Sequence, residues 1–228
     1  MLAIVVAVGV TCLNGVILAK IGGDLGTPFI VTFGMKTVIY ALALIITGGF
    51  HYTVPETRGL SMWGKGTIGG VPVPAIVFIL IMLICLLILQ RSTFGRKVYF
   101  LGGNREAARL SGINVGRIRI LTFLISGVCT GVASVIMVSR IGGTTPTIGY
   151  PYDFDVLTMV ILGGVMLGGG KGSMLNAFLG MIVIGVLTNA MNILNISANP
   201  QMIAKGFLIL FAVWFDTSNR NKSLEGLR

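Results

Sequence analysis

Apolar runs of near membrane-spanning length alternate with short polar segments along the whole chain. A helix needs about 20 mainly apolar residues to cross the hydrocarbon core of a bilayer. Seven runs approach this length and predict spans at Leu2–Ala19, Phe29–Gly48, Pro74–Leu89, Ile120–Val138, Phe154–Leu167, Met174–Ala190 and Ile203–Phe215. The fifth and seventh runs are short, so tilted or broken helices are expected there. The pattern therefore predicts an all-α, polytopic transmembrane helix bundle.

Composition agrees with a membrane protein. The 228 residues are 54% hydrophobic and only 11% charged, whereas soluble domains carry about 25% charged residues. The net charge of +10 would be compatible with nucleic-acid binding. However, the basic residues cluster in loops and at the C-terminus, not along one face, which argues against nucleic acid as a partner. They are interpreted as topology determinants and as contacts to anionic membrane lipid.

The distribution of basic residues predicts an orientation. The segment Gln90–Arg119, between the third and fourth runs, holds seven Arg and Lys against one acid, Glu106. Lys and Arg are retained on the cytoplasmic side of membrane proteins. This segment is therefore assigned to the cytoplasm, which places the N-terminus outside and the C-terminus inside. We divide the chain into a single transmembrane domain, residues 1–216, and a cytoplasmic tail, residues 217–228.

Within this cytoplasmic segment, the sequence NREAARLSG predicts a short helix that is too polar to enter lipid. Asn104 is a favourable N-cap, and Glu106 favours the first turn near the positive end of the helix dipole. Gly112 supplies a stop signal, and Gly102 and Gly103 are expected to turn the preceding loop. A cytoplasmic partner could grip such a helix as a lever. The alternative is an ordinary basic loop helix that binds lipid headgroups.

The chain shows no chemistry of its own. Three isolated cysteines, Cys12, Cys85 and Cys129, have no metal-ligand spacing and are interpreted as packing residues. His51 is a single histidine, which makes neither a metal site nor a catalytic triad. The glycine-rich run Gly168–Ser173 lacks the spacing of a phosphate-binding loop. No catalytic residue, metal or cofactor is expected. If the chain transports a solute, the energy is expected to come from a partner.

Polar residues within the spans allow two interpretations. They can hydrogen-bond between helices, or they can line a path for a hydroxyl-rich substrate. The candidate translocation-path residues are Asn14, Thr32, Lys36, Asn189 and Asn192.

Glycines mark two further places. Gly127 and Gly131 form a G-x-x-x-G pair, which favours close helix approach. The segment 163–172 holds six glycines. It predicts close helix packing, an unwound segment or a tight turn between the fifth and sixth runs.

The chain resembles the permease subunits of bacterial ABC importers for monosaccharides, the ribose permease group. The resemblance rests on the segments Pro28–Gly49, Val71–Val77, Phe94–Ile120, Ile161–Ser173 and Asn199–Asp216. It implies a multi-pass protein of the bacterial inner membrane. It also implies a second permease copy as homodimer or heterodimer, cytoplasmic ATPase subunits that bind ATP and Mg, and a periplasmic or lipid-anchored sugar-binding protein. The ATPase-coupling residues would be Asn104, Arg105, Glu106, Ala107, Ala108, Arg109, Leu110, Ser111 and Gly112.

The sequence also departs from this family. Members are longer, so the N-terminal third, with the earliest spans, is expected to be absent. Residues Gly149–Val160 and Val165–Met166 differ from the usual pattern, which leaves the sugar open. The alternatives are a permease for a furanosyl signalling molecule or a branched-chain amino acid, and a truncated membrane scaffold that transports nothing.

Overall fold

The computed structural model is built from ten helices and four two-residue strands among the residues it describes, 1–22, 26–54, 58–150, 152–166 and 168–225. Side chains are described for these residues except 58–60, 212, 213 and 215–225. The helices are α1 Leu2–Ile21, α2 Gly26–Thr47, α3 Arg58–Lys65, α4 Val73–Arg91, α5 Thr93–Gly103, α6 Arg105–Leu110, α7 Val115–Ile141, α8 Tyr152–Leu162, α9 Met174–Ile193 and α10 Ala198–Glu225. The strands are β1 Tyr52–Thr53, β2 Thr67–Ile68, β3 Val71–Pro72 and β4 Gly143–Thr144. The chain forms two compact units, Met1–Ile148 and Gly149–Arg228.

Five helices among the described residues are long and apolar enough to cross a membrane: α1, α2, α4, α7 and α9. They coincide with five of the seven predicted runs and confirm an α-helical, polytopic membrane protein. Helix α8 has 11 residues, fewer than the roughly 17 that a crossing needs. Helix α10 starts before the seventh run and continues to Glu225. Leu167, the end of the fifth run, and residues 226–228 of the proposed tail lie outside the described residues.

The interpretation of residues 93–103 as a loop was wrong, because they form helix α5. Ser92 ends α4 and also caps α5: its hydroxyl donates to the Ile88 carbonyl at 2.5 Å and accepts from the Gly95 amide at 3.1 Å. A Cβ at Gly95 would collide with the Leu89 carbonyl oxygen, so only glycine permits this sharp corner. Gly102 and Gly103 lie in the last turn of α5, not in a loop.

Helices α1 and α7 form the main packed pair of the first unit, and small residues bring their backbones together. A Cβ at Gly131 would stand 2.8 Å from the Ile4 Cα. A Cβ at Gly127 would collide with the Thr11 hydroxyl. Small residues are typical of transmembrane helix interfaces, where association depends on close packing. The close approach expected from the G-x-x-x-G pair is therefore confirmed.

Two ends of the first unit are defined by contacts between distant segments. β1 pairs with β4 in antiparallel register, which joins residues 52–53 to residues 143–144. Helix α3 also packs against the C-terminal end of α7, where a Cβ at Gly64 would stand 2.6 Å from the Ser139 hydroxyl. Strand β1, helix α3 and strand β4 thus lie together at one end of α7. The C-terminal end of α1 lies at the other end.

In the second unit, α8 packs against both α9 and α10. A Cβ at Gly180 would collide with the Met159 carbonyl oxygen and stand 2.8 Å from the Gly163 amide nitrogen. Between α8 and α9, Gly164, Gly169 and Gly170 have left-handed backbone, and the Met166 amide donates to the Lys171 carbonyl. Of the alternatives predicted for this segment, close helix packing is found at Gly163, where a Cβ would collide with the Asn176 carbonyl oxygen.

Candidate functional site

Helix α6 is a six-residue helix fixed at both ends by its own sequence. The Asn104 side chain accepts a hydrogen bond from the Ala107 amide at 2.9 Å. At the other end, the Gly112 amide donates to the Arg109 carbonyl and the Ile113 amide donates to the Ala108 carbonyl. This pattern, with Gly112 at φ 77°, is a Schellman motif. The predicted N-cap and stop signal are confirmed.

The faces of α6 differ sharply in exposure. Ala108 is fully buried, at 0% exposure, whereas Leu110 is 81% exposed. Glu106 and Arg109 are also exposed. Ala108 therefore packs the helix onto its neighbours, and the surface left for a partner centres on Leu110, Glu106 and Arg109.

Arg119 ties the start of α7 to the end of α1. Its Nη1 donates to the Leu18 carbonyl at 2.9 Å and to the Gly22 carbonyl at 2.7 Å. The last carbonyls of a helix have no partner within the helix, so a cation there is stabilised by hydrogen bonds and by the helix dipole. The guanidinium of Arg105 reaches the same place, because its Nη2 lies 3.5 Å from the position of a Cβ on Gly22. The short helix is thus placed against the ends of two membrane-length helices.

A cavity of about 530 Å³ lies at this junction. Arg105, Arg109 and Arg119 line it together with one acid, Glu106. Arg105 and Arg109, one helical turn apart, line the same space. The cavity is therefore strongly positive.

The five candidate path residues are dispersed over three helices. In the first unit, Asn14 of α1 is 7% exposed and its Oδ1 accepts no hydrogen bond within the described part of the chain. On α2, the Thr32 hydroxyl donates to the Pro28 carbonyl at 2.8 Å, and the Lys36 ammonium lies 5.4 Å from the centre of the Phe33 ring. In the second unit, Asn189 is exposed on α9, and the Asn192 side chain accepts from Gln201 at 2.8 Å.

Two structural links were missed by sequence reasoning. Arg119 had been counted only as one of the loop charges. Lys205 and Asp155, which the sequence analysis gave no role, form an ion pair of 2.8 Å between α10 and α8. Neither link has a local signal, because each joins residues at least 50 positions apart.

The chain is similar to known permeases over almost its whole length. Residues 1–213 match the family described as "Branched-chain amino acid transport system / permease component". The ribose import permease protein of Bacillus subtilis is 38% identical over 204 residues, 89% of this chain and 62% of the relative. That of Escherichia coli K12 is 34% identical over 221 residues, 96% of this chain and 68% of the relative. A xylose transport system permease protein of Haemophilus influenzae is 35% identical over 183 residues, 80% of this chain and 46% of the relative.

The chain spans about two thirds of the length of these ribose permeases. No solved structure matches it. The match over residues 1–213, the five membrane-length helices and the identity to bacterial permeases agree with one another. The chain is a multi-pass protein of the bacterial inner membrane. It belongs to the family of permeases described as "Branched-chain amino acid transport system / permease component".

Proposed function

We propose that the chain belongs to the membrane-spanning permease subunit of an ATP-driven, ABC-type importer for a monosaccharide, a pentose such as ribose. The observation that carries this proposal is the 34–38% identity to ribose import permeases over most of the chain. The similarity to a xylose system permease supports the same substrate class, because ribose and xylose are both pentoses. A periplasmic or lipid-anchored binding protein would deliver the sugar.

In this proposal, α6 is the contact to a cytoplasmic ATPase subunit, and the ATPase holds ATP and Mg. The capped ends make α6 a rigid element, and Leu110 at 81% exposure offers an apolar anchor of the kind that protein interfaces bury. Arg105 of α6 lies beside Gly22 at the end of α1, and Arg119 of α7 is hydrogen-bonded to the same Gly22. A displacement of α6 would therefore be passed directly to the α1–α7 pair.

The proposed topology has about seven spans, with the N-terminus outside and the C-terminus inside. Contacts within the first unit support the proposed alternation of successive segments between the two sides of the membrane. Residues 52–53 and 143–144, which this topology places outside, are joined by the β1–β4 ladder. Residues 18–22 and 105–119, both assigned to the inside, are joined by Arg119. A second permease copy would complete the pore.

The candidate path remains Asn14, Thr32, Lys36, Asn189 and Asn192. Asn14 has the strongest physical support, because its side-chain oxygen is buried and accepts no hydrogen bond within the described residues. A buried carbonyl oxygen without a donor costs about 1–3 kcal/mol. A sugar hydroxyl could supply that donor.

Charge reversal on α6 tests the coupling role. Arg105→Glu combined with Arg109→Glu should abolish uptake of labelled ribose in the assembled importer, because ATPase contact depends on this surface. Arg96→Glu combined with Arg117→Glu is the matched control, since both arginines are exposed in the same basic segment and the charge change is equal. Normal uptake and ATPase assembly in the α6 double variant would defeat the assignment.

A further inference from the structure

The basic cavity behind α6 has the charge of an anion site. Three guanidinium groups, on Arg105, Arg109 and Arg119, and one carboxylate, on Glu106, line it, which gives a net charge of +2. Its volume of about 530 Å³ lies within the roughly 300–1,000 Å³ of small-molecule pockets. Guanidinium groups bind phosphate through paired N–H donors.

The position of the cavity relative to the membrane indicates which kind of anion it binds. Ala19, in the last turn of α1, and Val115, the first residue of α7, also line it. Both helices are of membrane-crossing length and hydropathy, so their adjoining ends lie where the hydrocarbon core meets water. The phosphate groups of phospholipids lie at this depth, and basic pockets between transmembrane helices are known sites for acidic lipid headgroups.

One of the three arginines is already held in place. The Nη1 of Arg119 is bonded to the carbonyls of Leu18 and Gly22. These bonds fix the guanidinium before any ligand arrives, which lowers the entropic cost of binding.

We propose that this cavity binds the phosphate group of an anionic phospholipid, such as phosphatidylglycerol, from the leaflet that faces α6. The arginines hold the phosphate, and the apolar edge at Ala19 and Val115 accepts the glycerol and the start of the acyl chains. The bound lipid connects α6 to the ends of α1 and α7, so it becomes part of the joint through which α6 moves. The movement of α6 and the assignment of this leaflet to the cytoplasmic side rest on the proposed function, whereas the binding of the lipid does not.

Native mass spectrometry of the purified protein tests this site. The protein is titrated with phosphatidylglycerol or phosphatidylcholine, before and after Arg105→Gln combined with Arg109→Gln. Losing two charge-assisted hydrogen-bond donors should weaken phosphatidylglycerol binding about tenfold or more. Arg96→Gln combined with Arg117→Gln removes the same charge outside the cavity and should change binding less than about twofold. Size-exclusion profiles check that all variants fold.

The outcomes separate the possible sources of phosphate. Selective retention of phosphatidylglycerol that is lost only in the cavity variant supports the site. Equal binding of phosphatidylcholine, or equal loss in the control variant, overturns it, since the basic segment would then act as a diffuse charge. Displacement by millimolar inorganic phosphate or ATP, without lipid retention, also overturns the lipid assignment.

A third variant distinguishes this proposal from the coupling role. Leu110 is exposed and lies outside the cavity lining. Leu110→Ala should therefore retain phosphatidylglycerol while it lowers coupling to the ATPase. Loss of lipid in Leu110→Ala would contradict the lipid site, whereas normal uptake in Leu110→Ala would count against the coupling role alone.

Discussion

The ion pair between Lys205 of α10 and Asp155 of α8 provides a quantitative test of the second unit. The two charged atoms are 2.8 Å apart, and the side chains are only 16% and 19% exposed. We expect Asp155→Asn and Lys205→Met to be destabilising when made singly, because each leaves the other charge largely buried and unpaired. The double variant should recover most of the lost stability.

The magnitude follows from burial and distance. At 2.8 Å, the Coulomb attraction is about 6 kcal/mol with an effective dielectric constant near 20. Desolvation costs several kcal/mol per ion, so the net worth of the pair is small. Breaking a fully buried pair costs about 3–5 kcal/mol. The partial exposure here lowers this to about 2 kcal/mol for each single variant. A double variant that is about 1 kcal/mol less stable than the parent then corresponds to a coupling energy of about 3 kcal/mol.

Unfolding free energies in a mild detergent, followed by tryptophan fluorescence against denaturant, would measure this cycle. Lys171→Met is the matched control, since Lys171 is an exposed lysine in the turn of the same unit. It should change stability by less than about 0.5 kcal/mol. Single variants as stable as the control, with no coupling energy, would refute the reasoning that this pair joins α8 to α10.

Three further predictions concern packing, capping and sidedness. Gly180→Ala should cost about 1–3 kcal/mol in unfolding free energy, because its Cβ would collide with the Met159 carbonyl. Gly185→Ala on the same helix meets open space and should be neutral or stabilising. Equal effects of the two variants would contradict the α8–α9 packing. Asn104→Ala should speed amide exchange at Ala107 by about fivefold through loss of the cap, and Asn104→Asp should not; unchanged exchange in Asn104→Ala would argue against the cap. Thr53→Cys and Thr147→Cys should react with a membrane-impermeant thiol reagent from the same side of sealed vesicles, because the β1–β4 ladder joins their segments. Labelling of the two cysteines from opposite sides would disprove that ladder.

Much of the fold could be predicted from the sequence because membrane-length apolar runs carry a strong, local signal. Helices α1, α2, α4, α7 and α9 follow from run length alone. Helix α6 follows from Asn104 and Gly112, whose effects on a helix are confined to its two ends. The prediction from the G-x-x-x-G pair also rested on a local signal, because the missing Cβ atoms of Gly127 and Gly131 allow a second helix to approach closely.

Other elements had no such signal. Helix α5 contains glycines at positions 95, 102 and 103, which weaken helix propensity, and it is stabilised instead by the Ser92 cap and by its contact with α4. The two-residue strands are too short to leave an alternating pattern. The bonds of Arg119 to Leu18 and Gly22 span 101 and 97 positions. Such contacts are decided by tertiary packing, which no local pattern reports.

Cross-linking at Leu110 tests the central claim most directly. In a background with Cys12, Cys85 and Cys129 replaced by alanine, Leu110→Cys should cross-link to an ATPase subunit in native membranes. Ile68→Cys, exposed at the opposite end of the first unit, should not. Cross-linking of Ile68→Cys to the ATPase, with none from Leu110→Cys, would contradict the account.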